Sequence, residues 1–147
     1  MKMKISTKGR YAIKFMIDLA TYDNGEPVRI KDVAKRQNIS EKYLEQIVSV
    51  LNKASLVKSI RGSHGGYMLY DIPEKYTVGQ ILETVEGSMS PTECVGKNGF
   101  VCENRGTCVT VRIWEKLDNA ISGVLDGITL ADLVDWQNEL LVDQYVI

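Results

Sequence analysis

The chain has 147 residues, 44% of them hydrophobic and 25% charged, which is ordinary for a globular protein with one good core. No stretch approaches the ~18 consecutive apolar residues that a membrane span requires. The net charge of −1 hides a division: residues 1–66 carry 13 basic and 6 acidic side chains (net +7), and residues 67–147 carry 5 and 13 (net −8). A basic module of that density attracts a polyanion, so the first hypothesis is a nucleic-acid binder.

The beginning of the chain and the cysteine count bear on the compartment. Residues 1–5 contain two lysines but no apolar run or small-residue cleavage site. Three cysteines are an odd number, which makes disulfides a poor explanation and metal or redox chemistry a better one. We therefore expect a cytoplasmic protein.

Three helices are predicted before residue 55. The first covers residues 7–21 and is capped by Ser6 or Thr7, and the second lies near residues 31–37. After a sharp break, Ser40 caps a third helix. Two short basic helices joined by a tight turn predict a helix-turn-helix. The residues expected inside are Ala12, Phe15, Met16, Leu19, Val33, Ala34, Leu44, Ile47, Val48 and Leu51.

The next segment changes to the period of strands. Residues 56–60 and 67–70 suit a β-hairpin whose tip, residues 61–66, is rich in glycine. A helix-turn-helix followed by a hairpin is a winged helix. The predicted fold is therefore mainly α with a small β-hairpin wing, a winged helix-turn-helix plus a long C-terminal dimerisation helix. Residues 1–72 form the DNA-binding domain, and residues 73–147 form a cysteine-containing loop and a helical dimerisation region.

The second region begins with a capping box at Thr77 and Gln80, which opens a short helix that stops at Gly87. Residues 88–108 have no periodicity and hold all three cysteines; irregular loops of that length are usually functional. A long helix then runs to about Asp126, and a final short helix covers 129–141. The long helix is apolar enough to require a partner, and a second copy of the chain is the simplest one. The predicted dimer interface is Trp114, Leu117, Ile121 and Val124.

The predicted DNA contacts lie on the third helix and the wing. The N-terminal residues of a recognition helix reach base edges, where Glu45 can accept from a cytosine amino group and Gln46 can pair with adenine. An arginine at a glycine-rich wing tip can enter a narrow minor groove. His64 is the only histidine, and without an apparent partner it suits a phosphate or backbone contact better than catalysis. The predicted set is Lys8, Arg10, Ser40, Lys42, Tyr43, Glu45, Gln46, Arg61, Gly62, His64, Gly65 and Gly66.

No enzyme is predicted. The chain has no nucleophile–base pair in sequence proximity and no phosphate-binding glycine motif, so no catalytic residue is assigned.

The cysteines follow the spacing Cys-x7-Cys-x5-Cys, at Cys94, Cys102 and Cys108. Three thiolates in one glycine-flanked loop can close around a metal. Zinc requires a fourth cysteine or histidine, and none lies nearby. An iron–sulfur cluster also takes four ligands but accepts a wider range of fourth donors. The spacing alone leaves an iron–sulfur cluster, zinc and unmetallated thiols as three alternatives.

Several motifs occur in order along the chain: Ile5-Ser-Thr-Lys-Gly-Arg-Tyr-Ala12, Tyr43-Leu-Glu-Gln46, Leu56-Val-Lys-Ser-Ile-Arg-Gly62, Gly65-Gly-Tyr67, Thr77-Val-Gly79, Val85-Glu-Gly87 and the stretches at 114–117 and 128–130. They resemble one family of bacterial winged-helix transcriptional regulators, whose members include the iron–sulfur cluster regulator IscR, the nitric-oxide sensor NsrR and the cysteine-metabolism repressor CymR. The resemblance implies a homodimer in which the long helix crosses the partner and two wings grip a palindromic operator. In the cluster-binding members a three-cysteine loop precedes that helix.

The chain departs from the family at the fourth cluster ligand. IscR-type proteins have a histidine where this chain has Val111, and NsrR-type proteins use an acidic residue of the partner where this chain has Lys8. Glu93 and Glu103 are local alternatives, and the cluster type (2Fe–2S or 4Fe–4S) is open. The resemblance implies a cluster-controlled, homodimeric DNA-binding repressor. The alternatives are a CymR-like repressor controlled by a protein partner without a cluster, and a small iron–sulfur redox protein.

Overall fold

The computed structural model describes residues 4–96, 103–104 and 106–145. Within them, six α-helices and one antiparallel two-stranded hairpin form the winged-helix architecture that the sequence predicts. None of the helices described has the length and apolar content to cross a membrane. In chain order the elements are α1 (Thr7–Thr21), α2 (Ile30–Gln37), α3 (Glu41–Lys53), β1 (Val57–Ile60), β2 (Gly66–Leu69), a 3₁₀ turn (Pro73–Lys75), α4 (Val78–Glu86), α5 (Val111–Gly127) and α6 (Leu130–Tyr145).

Helices α1 to α3 surround the main core. Ser6 caps α1 by accepting a hydrogen bond from the Gly9 N–H, and Ser40 caps α3 by accepting from the Tyr43 N–H. All ten residues expected inside are buried. The cluster also contains Tyr76, Ile81 and Leu130, so the core extends beyond residue 72 into α4 and α6.

The turn between α2 and α3 depends on one left-handed residue. Asn38 has φ 54° and ψ 50°, a conformation that asparagine tolerates better than most residues. The next residue, Ile39, is buried, and its N–H donates to the Ala34 carbonyl at 3.0 Å. The chain therefore reverses within three residues and presents α3 on the surface.

The wing is attached to the body by a third extended segment. β1 and β2 pair from Val57↔Leu69 to Ile60↔Gly66. On its other side, β2 exchanges two hydrogen bonds between Tyr67 and Val28, at 2.7 and 2.9 Å. A Cβ on Gly66 would lie 2.4 Å from the Val28 carbonyl oxygen, so only glycine allows the two backbones to approach this closely.

Tyr76 joins the base of the wing to the second region. Its buried hydroxyl donates to the Leu56 carbonyl at 2.8 Å and accepts from the backbone N–H groups of Tyr70 and Asp71 at 3.0 and 3.1 Å. Burial raises the pKa of this phenol above its ordinary value. The hydroxyl therefore stays protonated and keeps all three hydrogen bonds.

Replacing Tyr76 with phenylalanine should destabilise the fold by about 1–3 kcal/mol, because the change leaves one buried carbonyl and two N–H groups without their partner. Urea unfolding at a fixed protein concentration measures the loss. Tyr70→Phe is the matched control, since the Tyr70 side chain is 56% exposed. Equal unfolding midpoints for the two variants would show that the Tyr76 hydroxyl contributes little.

The last two helices take different paths. α5 packs against α4 and leaves much of its apolar surface exposed, whereas α6 returns to the core through Leu130. The return is held by the Leu130 N–H, which donates to the Tyr76 carbonyl, and by the Val78 N–H, which donates to the Ile128 carbonyl, both at 2.9 Å. α6 continues to Tyr145, beyond the predicted end at residue 141.

Candidate DNA-binding surface and cysteine loop

The N-terminal half of α3 presents a polar surface. Lys42, Glu45 and Gln46 are exposed, as base-reading residues must be. Ser40 is exposed, but its hydroxyl is engaged at the helix cap. Tyr43 is half-buried, and its ring packs edge-on against Tyr11 of α1 at a centroid distance of 5.7 Å. Tyr43 therefore helps to hold α3 against α1.

The wing tip places its predicted residues together. Arg61, Gly62 and His64 are exposed, and Gly65 and Gly66 are half-buried. The sequence prediction missed Arg29, which lies one residue after the strand-like Val28. Its guanidinium donates to the Ser63 carbonyl at 2.5 Å and so holds the tip from the side of the body. The sequence signal that could have identified Arg29 is its position as a basic residue directly after the strand-like Val28.

The basic residues of the first helices have unequal roles. Arg10 is exposed and donates to the Thr7 hydroxyl at 2.9 Å, and Lys8 is half-buried. Arg36 has a structural role, because its guanidinium donates two hydrogen bonds to the buried Asp18 carboxylate, at 2.7 and 3.0 Å. The hydrogen bond to Asp18 is the main reason why the pKa of Arg36 lies above its usual value. This pair fixes α2 on α1.

The cysteine loop, residues 88–108, is described only in part. Cys94 and Cys108 are both half-exposed, and Cys102 lies outside the described residues. Within the described part of the chain, no three histidine, cysteine or acidic side chains converge on a position for a metal ion. Val111 is buried at the start of α5, and Glu93 and Glu103 are exposed. The position of the IscR-type histidine is thus filled by an apolar packing residue.

Local hydrogen bonds favour the thiolate form of Cys108. The Thr110 hydroxyl, 3.1 Å from Cys108 Sγ, is the main cause of a pKa below the ordinary value of the thiol, and the Val111 N–H adds to it. Thiolate is the form in which cysteine binds metals. The two hydrogen bonds therefore favour the form in which Cys108 would bind a metal.

The loop begins next to a contact with α1. Glu86, the last residue of α4, accepts hydrogen bonds from the Ser6 N–H at 3.3 Å, the Gly9 N–H at 3.1 Å and the Ser6 hydroxyl. A carboxylate at a helix N-terminus is also stabilised by the helix dipole. The residue that precedes the loop is therefore bonded to the helix that carries Lys8 and Arg10.

The long helix α5 has an exposed apolar stripe. Ile113, Leu117 and Val124 are 55%, 42% and 60% exposed, and they share one face with Ala120. The predicted interface residues Trp114 and Ile121 are half-buried, and Ile121 faces α4 and the loop. Of the four predicted interface residues, Leu117 and Val124 are thus exposed, whereas Trp114 and Ile121 are half-buried.

A helix-turn-helix with a polar exposed third helix and an arginine-bearing wing defines a winged-helix DNA-binding protein. The family model described as "Rrf2: Iron-dependent Transcriptional regulator" matches residues 5–136. The chain belongs to the Rrf2 family of transcriptional regulators and is not an enzyme.

Relatives and solved structures agree with this assignment. The HTH-type transcriptional regulator IscR of Serratia proteamaculans is 42% identical over 95% of this chain and 84% of its own length. The structure of T. potens IscR has a TM-score of 0.74 at 42% identity and covers 93% of this chain and 90% of the other. The structure of CymR, "the Global Cysteine Regulator of B. subtilis", has a TM-score of 0.76 at 41% identity, with 90% and 97% covered. The predicted family and fold are confirmed.

Proposed function

We propose that this chain is a homodimeric repressor whose affinity for a palindromic operator is set by an iron–sulfur cluster on the cysteine loop. The observation that carries the proposal is the position of that loop. It connects Glu86, which caps α1 of the DNA-binding module, with α5, whose apolar stripe is exposed. A change in the loop therefore acts on both the DNA-binding helices and the helix that would join the two copies.

The chemistry of the donors fits a cluster. Cys94, Cys102 and Cys108 supply three thiol ligands, and when bound the cluster supplies a redox-active, oxygen-sensitive group. Two of these residues, Cys94 and Cys108, are half-exposed, so ligands from solution can approach them. Val111 and Lys8 supply neither fourth ligand known in the family, which leaves Glu93, Glu103 or an exogenous group.

The described surface suits two-fold binding to DNA. In a dimer joined through α5, each copy contributes one α3 to a major groove and one wing to the adjacent backbone or minor groove. The proposed contacts are the twelve residues predicted from the sequence, with Ser40 and Tyr43 also supporting α3 itself. Phosphate contacts from the +7 module make the binding strongly dependent on salt.

Arg61→Ala should weaken operator binding by about 1–3 kcal/mol, because the exposed guanidinium at the wing tip is lost from the minor groove or the phosphates. Fluorescence anisotropy at several salt concentrations measures the affinity and its salt slope. The DNA is a duplex selected from a random pool by the wild-type protein. Lys75→Ala is the control, since it also removes one positive charge but Lys75, in the 3₁₀ turn, is paired with Asp71 at 3.4 Å. Unchanged binding by Arg61→Ala would remove it from the DNA surface.

The proposed function is tested by a visible spectrum together with a DNA titration. Protein purified without oxygen should be coloured, contain iron and sulfide, and bind the selected duplex with an affinity that changes when the cluster is removed. A colourless protein that binds the same DNA equally well before and after reconstitution would contradict cluster control and leave the DNA-binding assignment intact.

A CymR-like repressor without a cluster is the second candidate. The backbone favours neither candidate, since the TM-scores to CymR and IscR are 0.76 and 0.74. The three cysteines favour the cluster. The CymR-like candidate predicts a colourless protein whose DNA affinity changes only when a protein partner is added.

A further inference from the structure

Two threonine hydroxyls lie beside the two described cysteine sulfurs. Thr92 Oγ1 is 3.1 Å from Cys94 Sγ, and Thr110 Oγ1 is 3.1 Å from Cys108 Sγ. The order is reversed at the two ends of the loop, Thr-x-Cys at the first and Cys-x-Thr at the second. Each sulfur therefore has beside it the hydroxyl of the residue two positions closer in sequence to α4 or α5.

Thr110 has a second feature that points to the sulfur. It is the N-cap residue of α5, a position at which a threonine hydroxyl ordinarily accepts a hydrogen bond from the helix backbone. Here the side chain makes no capping hydrogen bond and is directed to Cys108 Sγ instead. By contrast, Ser6, Ser40 and Thr77 all cap their helices in the usual way.

The direction of these hydrogen bonds follows from the chemistry of ligation. In the thiol form either the hydroxyl or the sulfur can donate. A cysteine that ligates iron has lost its proton, so its sulfur can only accept and the hydroxyl becomes the donor. Both hydroxyls would then donate to ligand sulfurs.

We propose that Thr92 and Thr110 are positioning residues for the cluster thiolates and that their hydrogen bonds to Cys94 and Cys108 raise the reduction potential of the cluster. This inference rests on the proposed function. Reduction of a bound cluster by a one-electron donor would add one negative charge to it, while no bond would break and each proton would stay on its hydroxyl. Hydrogen bonds to the sulfurs stabilise the more negative form more strongly, which favours reduction.

The test compares valine and serine variants of each threonine. Thr→Val removes the hydroxyl with little change of shape, and Thr→Ser restores it. Thr107→Val is the matched control, because Thr107 lies in the same loop and its hydroxyl donates to the Asn104 carbonyl at 3.2 Å. Midpoint potentials are measured by anaerobic titration with dithionite and redox dyes, with iron and sulfide counted per chain.

We expect each valine variant to lower the potential. The double variant should change the redox equilibrium constant at least tenfold, which is about 59 mV for one electron. The serine variants and Thr107→Val should stay at the wild-type value. Coloured valine variants with wild-type potentials would overturn the inference but not the proposed function, whereas a colourless wild-type protein would overturn both.

A second measurement covers valine variants that fail to hold a cluster. Resonance Raman spectra of the wild-type protein in H₂O and D₂O report hydrogen bonds to the ligand sulfurs through the iron–sulfur stretching bands. The Val111 N–H also contributes to the shift, so the inference is supported if Thr107→Val and Thr110→Ser keep the wild-type shift and any single valine variant that holds a cluster shows a smaller one. Identical bands in the two solvents would overturn it.

Discussion

Replacing Leu117 and Val124 with glutamate should convert the protein to a monomer and weaken operator binding by about 10²–10⁴-fold. Both side chains lie on the open stripe of α5 and are 42% and 60% exposed. Covering such surface in a dimer is favourable by about 25 cal/mol per Å² of apolar area, and two carboxylates meeting their copies would reverse that gain. The fall in affinity reflects the loss of the second half-site, which an assembled dimer binds at high effective concentration.

Analytical ultracentrifugation and anisotropy on the selected duplex measure the two effects. Asn119→Glu is the control for an added carboxylate on α5, because Asn119 is exposed on the opposite face; it adds one negative charge where the double variant adds two. Circular dichroism shows whether the variants keep their helices. A double variant that still sediments as a dimer would show that the two copies meet elsewhere.

The second large effect concerns the cysteines. Wild-type protein should change its operator affinity by about 5–150-fold between the cluster-loaded and cluster-free forms, the usual range for coupling between two sites. Changing Cys94, Cys102 and Cys108 together to alanine should abolish that difference, because no ligand thiols remain. The cluster-free wild type and the variant should then bind DNA alike.

Single substitutions sharpen this experiment. Because the three thiols act as a unit, Cys108→Ala alone should remove the switch almost as completely as the triple change. Thr107→Val should retain the switch, because Thr107 lies in the same loop but its hydroxyl donates to a backbone carbonyl and not to a cysteine. A triple variant that responds to iron and sulfide like the wild type would show that the reagents act at another place.

The class of protein follows from local features that a sequence carries directly. The +7 charge of residues 1–66 indicates a polyanionic ligand, and the 3–4 spacing of apolar residues places the helices. Ser6, Ser40 and Thr77 all act as the predicted caps. Charge, periodicity and capping depend on residues a few positions apart, which is why they can be interpreted without a structure. The individual DNA contacts and the cluster ligands remain predictions, and Cys102 lies outside the described residues.

Tertiary structure alone decided how these elements are joined. Glu86 caps α1 from 77 to 80 residues away, Val28 becomes a partner of the wing through Tyr67, and the Tyr76 hydroxyl connects three backbone groups. Packing against Tyr11 also gives Tyr43 a role in support of α3. Apart from the bonds of Tyr76 to Tyr70 and Asp71, these contacts join residues distant in sequence, and a hydrogen bond or ring contact leaves no periodic pattern along the chain. The charge of residues 1–66 therefore indicated a polyanionic ligand from the sequence alone. The contact between the helix before the cysteine loop and the DNA-binding helices exists only in the folded molecule.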